Sequence, residues 1–245
     1  MDKIKMLAKI IRESERIVFF GGAGVSTESN IPDFRSEKGL YAAREVYGHE
    51  PEYLLSVDCF ESDTELFFKY YKENMIYADA VPNDAHKALA KLEKMGKLST
   101  VVTQNVDGLH QAAGSLNVLE LHGANSRQYC VSCGKNYELA YIQNSEGLIP
   151  KCSCGGTVRP DVVLYGEQLG SAIEDAARAV MAADCLIVGG TSLAVYPAAG
   201  LIRYLPKGGT LVLINKGETP YDNHADLVIR ESIGEVLSAA LNCLS

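Results

Sequence analysis

The stretch Ile17-Val18-Phe19-Phe20-Gly21-Gly22-Ala23-Gly24-Val25-Ser26-Thr27 carries the first decision about the fold. Four consecutive apolar residues closed by glycine read as a strand buried on both faces, the pattern of a parallel sheet. Similar runs return at 100–103, 118–121, 185–189 and 211–215, with a weaker one at 227–229. Helical spacing marks other segments: Ile4, Leu7, Ile10 and Ile11 near the start, Ala88, Leu89, Leu92 and Met95 within 85–95, and Ile173, Ala176, Ala177 and Val180 within 172–183. Strands alternating with helices predict an α/β fold, a Rossmann-like doubly wound parallel sheet. Two stretches break the rhythm: 36–83 is rich in Tyr and Phe and reads as helical, while 127–160 holds paired cysteines among turn residues. They are expected to form a smaller inserted module, leaving 1–35, 84–126 and 161–245 as the Rossmann-like domain.

The 245 residues include 23 Lys+Arg against 31 Asp+Glu, a formal net charge of −8, and 47% are hydrophobic. That is a globular composition. The acidic balance argues against direct nucleic-acid binding and against an anionic membrane surface, and leaves room for a basic partner such as a lysine-rich peptide. No apolar run approaches the roughly 20 residues that span a bilayer. Met1–Arg16 mixes charge into its apolar spacing and so lacks the core of a secretion signal. The expectation is a soluble cytoplasmic protein.

Several motifs sit where the strands end. Gly22 and Gly24 fit the first two glycines of G-x-G-x-x-G, but Thr27 stands where the third belongs, and no Walker lysine follows. Gly189-Gly190-Thr191-Ser192 and Asn215 close two further apolar runs. Ligands of open α/β sheets bind outside such carboxyl ends, so three small or polar edges favour a dinucleotide over a purely structural turn. Thr103-Gln104-Asn105-Val106-Asp107-Gly108-Leu109-His110 leaves another strand; its amides and carboxylate could hold a carboxamide, or Asn105 or Asp107 could cap a helix. His122 follows Val118–Leu121, where a general base would face the crevice; a hydrogen-bonded loop histidine is the plainer alternative. Cys130, Cys133, Cys152 and Cys154, each pair followed by glycine, suit a closed tetrahedral zinc site of structural type. A redox pair competes with that reading, although neither pair lies at a strand–helix junction of the sheet.

Taken together, Gly22–Ser26, Ile31-Pro32-Asp33-Phe34-Arg35, Thr103–Asp107, His122-Gly123, the cysteine pairs, Tyr165-Gly166-Glu167, Gly190–Leu193 and Ile214-Asn215 resemble the sirtuin family over essentially the whole chain, in its compact single-core form. The resemblance implies an NAD-dependent protein lysine deacylase that releases nicotinamide, O-acyl-ADP-ribose and free lysine. NAD would be its co-substrate and one zinc ion its structural metal, with acyl-lysine proteins or peptides as partners. Gly22, Ala23, Gly24, Ser26, Asp33, Arg35, Gln104, Gly190, Thr191, Ser192, Asn215 and Ile233 would surround NAD. Asn105, Val106 and Asp107 would form the nicotinamide pocket, and Phe34 would cover the ribose carbon. Asn105 and Asp107 would share catalysis with His122, the base towards the ribose hydroxyls. Val163, Tyr165, Gly166 and Glu167 would line one side of the peptide groove, with Leu193 and Val195 opposite, so that the substrate adds as an extra strand.

Three departures or near-departures matter. Asn30 stands where the family commonly has glycine, and asparagine is the best replacement if that position needs φ > 0. Tyr165 replaces a common phenylalanine. Phe68 and Tyr71 occupy the places of the Tyr-x-x-Arg pair carried by sirtuins that prefer acidic acyl groups, so uncharged acyl groups are expected, unless a nearby lysine takes the arginine's part. The alternatives are a mono-ADP-ribosyltransferase on the same NAD site, an NAD-dependent dehydrogenase, and a non-catalytic NAD- or peptide-binding module.

Overall fold

The computed structural model describes residues 2–33 and 43–244. Its main sheet holds six strands, β1 (Ile17–Gly21), β2 (Leu98–Thr103), β3 (Val118–Glu120), β7 (Cys185–Gly189), β8 (Thr210–Ile214) and β9 (Leu227–Ile229). They lie in the order β3-β2-β1-β7-β8-β9, and every neighbouring pair is parallel. This is the expected doubly wound α/β sheet.

The reason lies in the alternation within each apolar run. Ile17 and Phe19 of β1 point into a core built with helices Lys3–Glu13, Asp84–Lys94 and Ile233–Asn242. Val18 and Phe20 point to the opposite face, against helix Ala172–Met181 and the 3₁₀ stretch Ala198–Tyr204. Both phenylalanines are fully buried, and each contributes about 2–3 kcal/mol by leaving water. Helix Asp84–Lys94 begins at Asn83, whose side chain accepts from the N–H groups of Ala85 and His86, while Nδ1 of His86 accepts from the Asn83 N–H. That reciprocal cap fixes where the helix starts.

The chain runs outward from β1 to β2 and β3, then returns to β7 on the other side of β1. The two connections diverge there and open a crevice at the carboxyl ends of β1 and β7.

The segment 127–160 is more regular than a set of turns. It contributes to a three-stranded antiparallel ribbon in the order β5-β4-β6, made of β4 (Gly123–Cys130), β5 (Asn136–Glu138) and β6 (Val158–Val162). Strand β4 crosses the expected division at 126/127, and β6 crosses that at 160/161. The ribbon is therefore rooted directly beside His122. The described part of 36–83 is helical, with turns or helices at Pro51–Leu54, Val57–Ser62 and Thr64–Asn74. Phe67, Phe68 and Tyr71 pack there with Cys59, Ile142 and Leu164, joining the helices to the ribbon.

Candidate active site and metal centre

The glycine turn after β1 is packed against the edge after β7. The N–H of Gly24 donates to the Gly190 carbonyl at 2.8 Å. A Cβ on Gly24 would lie 2.8 Å from the Gly190 Cα and 2.9 Å from its oxygen, and Gly190 itself has φ +60°. Neither position accepts a side chain without moving the other loop. Two short 3₁₀ turns follow, Ala23–Val25 and Thr27–Ser29, rather than a long helix. The third glycine of the dinucleotide motif serves close helix–strand packing; with no long helix here, Thr27 fits and donates to the Gly24 carbonyl at 3.0 Å. Asn30 closes the second turn with φ 62° and ψ 22°, the left-handed conformation expected of it.

Beside this turn opens a cavity of about 350 Å³. On one wall, the Ser26 hydroxyl donates to Asp107 Oδ2 at 2.7 Å and accepts from Asn105 Nδ2 at 3.0 Å. Asp107 Oδ1 accepts from the Leu109 N–H at 2.9 Å. The carboxylate thus bonds the first N–H of the short helix Leu109–Ala112 and also lines the cavity, so capping leaves it available there. Gln104 donates to the Thr191 hydroxyl at 3.2 Å, tying the β2 edge to the β7 edge. Across the cavity, His122 Nδ1 lies 2.9 Å from the Gln104 carbonyl. A carbonyl can only accept, so Nδ1 carries a proton, and in the neutral ring the lone pair is then on Nε2.

The cavity brings together Ala23, Ser26, Gln104, Asn105, Val106, Asp107 and His122 with the groove residues Val163, Tyr165, Gly166, Glu167 and Val195. Gly22, Gly24, Gly190, Thr191, Ser192 and Asn215 stand at the carboxyl ends of β1, β7 and β8 and do not line it. Asp33 is described and partly exposed, while Phe34 and Arg35 lie outside the described residues. Two of the expected site residues have buried side chains. Leu193 is 2% exposed in the core facing Ala172–Met181, and Ile233 is 4% exposed in the opposite core. Both side chains are packed in a core, so contact with a ligand in the crevice would fall to their backbone.

Ile31 and Pro32 of the quoted motif and Tyr71 also line the cavity, as do Leu55, Met75 and Asn125, which the motifs passed over. Asn125 is the most connected of these. Its side chain accepts from the Tyr71 hydroxyl at 3.0 Å and donates to the Met75 carbonyl, and its N–H donates to the Val106 carbonyl at 2.8 Å. A polar residue three positions after His122 was the available signal.

The metal centre is geometrically complete. The four sulfurs of Cys130, Cys133, Cys152 and Cys154 all lie within 4.8 Å of one another, with Cys130–Cys154 at 3.5 Å and Cys133–Cys152 at 3.7 Å. Zinc–sulfur bonds of about 2.3 Å in a tetrahedron put the sulfurs about 3.8 Å apart, so the set fits zinc. Disulfides would need sulfurs at about 2.05 Å, and all four cysteines are unbridged.

The Sir2 family model matches residues 22–197. An NAD-dependent protein deacetylase of Clostridium acetobutylicum is 60% identical over 243 residues, covering 98% of this chain and 99% of that one. The chain belongs to the Sir2, or sirtuin, family. Among solved structures, a Sir2 protein with a p53 peptide and NAD+ superposes with a TM-score of 0.86 at 37% identity, covering 98% of this chain and 97% of the other. A Sir2 protein bound to a propionylated peptide gives 0.86 at 36% identity, with both chains fully covered.

In this sirtuin Tyr71, Met75 and Leu55 are apolar or aromatic residues of the cavity lining. Burial raises the Tyr71 phenol above its ordinary pKa, so the group stays neutral. Phe68 faces the aromatic core instead, edge-on to Phe67. The neighbouring lysines point elsewhere: Lys72 Nζ donates to the Ser145 hydroxyl at 3.0 Å and the Gly147 carbonyl at 3.1 Å, and Lys69 lies over the Tyr47 ring. Among the described residues, no helix is long and apolar enough to cross a membrane.

Proposed function

We propose that this chain is an NAD-dependent protein lysine deacetylase acting on acyl-lysine in peptides or proteins. The observation that carries the reading is the cavity that sets His122, fixed by the Gln104 carbonyl, opposite the Ser26–Asn105–Asp107 cluster. NAD, when bound, supplies the ribose carbon that receives the acyl oxygen as nicotinamide leaves. The chain's own residues then have separable tasks. Asn105 and Asp107, locked by Ser26, present an amide and a carboxylate to a carboxamide, which needs both a donor and an acceptor. In its neutral form His122 has its lone pair on Nε2, the atom that would take a proton from a ribose hydroxyl. Ile31, Pro32, Tyr71, Met75 and Val163 keep water from a weak nucleophile and its target, and close placement supplies the effective concentration. The segment Val163–Gly166 offers the peptide an edge. Among the described residues, the Val163 carbonyl and the Gly166 N–H pair with no backbone group, as strand addition requires.

This lining supports an uncharged acyl group, since Tyr71 is neutral and both nearby lysines are engaged outside the cavity. The four cysteines hold one structural zinc. The six-stranded sheet and its helices form the NAD-binding part, and the ribbon with the helical segment forms the smaller module. Unbridged Cys59, Cys185 and Cys243 suit a reducing, cytoplasmic setting.

The test is nicotinamide release from NAD with and without acetyl-lysine peptide, following the peptide's mass in the same tube. Release should require the peptide and match the loss of its acetyl group, and a succinyl-lysine peptide should be turned over far more slowly. His122→Ala should keep its fold and lose most turnover. Nicotinamide release without deacetylation would replace the reading with ADP-ribosyl transfer or NAD hydrolysis.

A further inference from the structure

Arg159 belongs to none of the motifs and does not line the cavity, yet it is 5% exposed in β6. Its guanidinium carbon lies 5.2 Å from the ring centre of Phe60, in the helical module, and 5.7 Å from that of Tyr129, in the ribbon. From this slot it makes a two-pronged pair with Glu167: Nη1 donates to Oε1 at 2.7 Å and Nη2 to Oε2 at 3.1 Å. Nη2 also donates to the Val162 carbonyl at 2.9 Å, and Nε to the Pro160 carbonyl at 3.3 Å. Glu167 Oε2 in turn accepts from the Leu164 N–H at 2.7 Å, and the Glu167 N–H donates to the Leu164 carbonyl at 3.0 Å. The carboxylate thus closes the turn 164–167 on itself while the arginine ties that turn to the ribbon.

We infer that Arg159 is a positioning residue that, through Glu167, fixes the substrate-facing edge Val163–Gly166 and so sets peptide affinity without touching the peptide. The inference rests on the reading of that edge as the peptide site. The edge hangs from three supports: the Val163 N–H on the His122 carbonyl, Tyr165 between the Leu55 carbonyl and the Val57 N–H, and the turn held by Arg159. The second also aims the Gly166 N–H, which shares a peptide plane with the Tyr165 carbonyl; the third holds the turn 164–167 in which Gly166 sits at φ +93°. A buried ion pair contributes little net stability compared with apolar packing, and its attested use is to specify one conformation. Glu167, expected among the peptide contacts, spends both carboxylate oxygens on this clamp. Lysine could not replace Arg159, because a point charge cannot serve two carboxylate oxygens and two carbonyls from one fork.

The test compares wild type, Arg159→Lys and Glu167→Gln as full-length, zinc-loaded protein. KM for acetyl-lysine peptide and KM for NAD are measured separately, with zinc content and thermal melting alongside. Arg159→Lys should raise the peptide KM at least tenfold while KM for NAD stays within twofold. Glu167→Gln, which leaves every ribbon contact of Arg159 in place, should move the peptide KM in the same direction by a smaller factor. A packing or charge role would be rescued by lysine. An unchanged peptide KM in both folded variants, or equal rises in the two KM values, would overturn the inference. Absence of peptide-dependent turnover in wild type would instead remove the functional reading beneath it.

Discussion

Replacing Ser26 by alanine isolates the cluster to which the proposed function assigns nicotinamide recognition. The hydroxyl is buried, with the residue 1% exposed, and it bridges Asp107 at 2.7 Å and Asn105 at 3.0 Å. Alanine keeps the carbon and removes both bonds. A hydrogen bond to a carboxylate contributes about 1.5–3 kcal/mol and a neutral one about 0.5–1.5 kcal/mol. Asp107 keeps the Leu109 N–H and is only half-buried, so water recovers part of the loss in the free enzyme. About half of the sum, on the order of 1–2 kcal/mol, should then appear in folding, lowering Tm by about 2–8 °C for a chain of this size. A similar amount should appear when a ligand displaces that water, which is about a 5- to 30-fold loss in kcat/KM for NAD. Steady-state NAD titration at saturating acetyl peptide, beside a melting curve, separates the two. Thr27→Val, which removes an exposed hydroxyl one residue away, serves as the control. A folded Ser26→Ala enzyme with kcat/KM for NAD within twofold of wild type would refute the reasoning.

Two further outcomes follow from the metal and from the buried histidines. Metal analysis should find one zinc per chain, and chelation or Cys133→Ser should unravel the ribbon and abolish deacetylation; a zinc-free protein of equal stability and activity would remove the assignment. Burial lowers the pKa of His110 to about 3, with His86 adding to the effect, and lowers that of His86 to about 4 against the opposing pull of Asp107. An unfolded imidazole titrates near ~6.5, so below that pH the unfolded chain binds protons that the folded one does not. Stability should therefore be full at about pH 7 and fall towards about pH 5, by up to ~1.4 kcal/mol per pH unit for each histidine. Denaturant titrations of wild type and His110→Phe should show the slope roughly halved in the variant; equal slopes would exclude this origin.

The sheet was legible because its strands are buried on both faces. Ile17-Val18-Phe19-Phe20 needs no alternation to announce itself, and the carboxyl end of such a strand is also where ligands bind, so fold and site were read from the same residues. The ribbon was not legible as strands. Strand β4 reads Gly-Ala-Asn-Ser-Arg-Gln-Tyr-Cys, with no apolar period, because its pairing is held by backbone bonds and by cysteines rather than by a hydrophobic face. The aromatic part of the cavity lining was hidden for the opposite reason. Phe68 and Tyr71 lie one helical turn apart, and nothing in their spacing says that Phe68 packs in the core while Tyr71 also reaches the cavity. Leu193 and Ile233 mark a further limit, since a motif records that a position matters without recording whether its side chain or its backbone does the work.

A closed four-cysteine site has no open coordination position, so what zinc contributes to catalysis must be geometric. The structure offers a route. His122 is separated from β3 by Leu121 alone and is followed at once by Gly123, the first residue of β4. Gly123 has φ +76°, and a Cβ there would collide with the Asp161 carbonyl of β6, so the chain can pass from sheet to ribbon at this point only through glycine. The histidine's side chain is oriented from the sheet side, by Gln104 after β2, while its carbonyl is held from the ribbon side, by Val163 after β6. Its position therefore depends on the angle between sheet and ribbon. The ribbon is gathered at its far end by four thiolates, and Arg159, beside that end, reaches back along β6 to the Val162 carbonyl and the turn 164–167. The same two strands, β4 and β6, thus hold both His122 and the edge proposed for the peptide, so a metal outside the cavity would act on the chemistry proposed within it through their geometry.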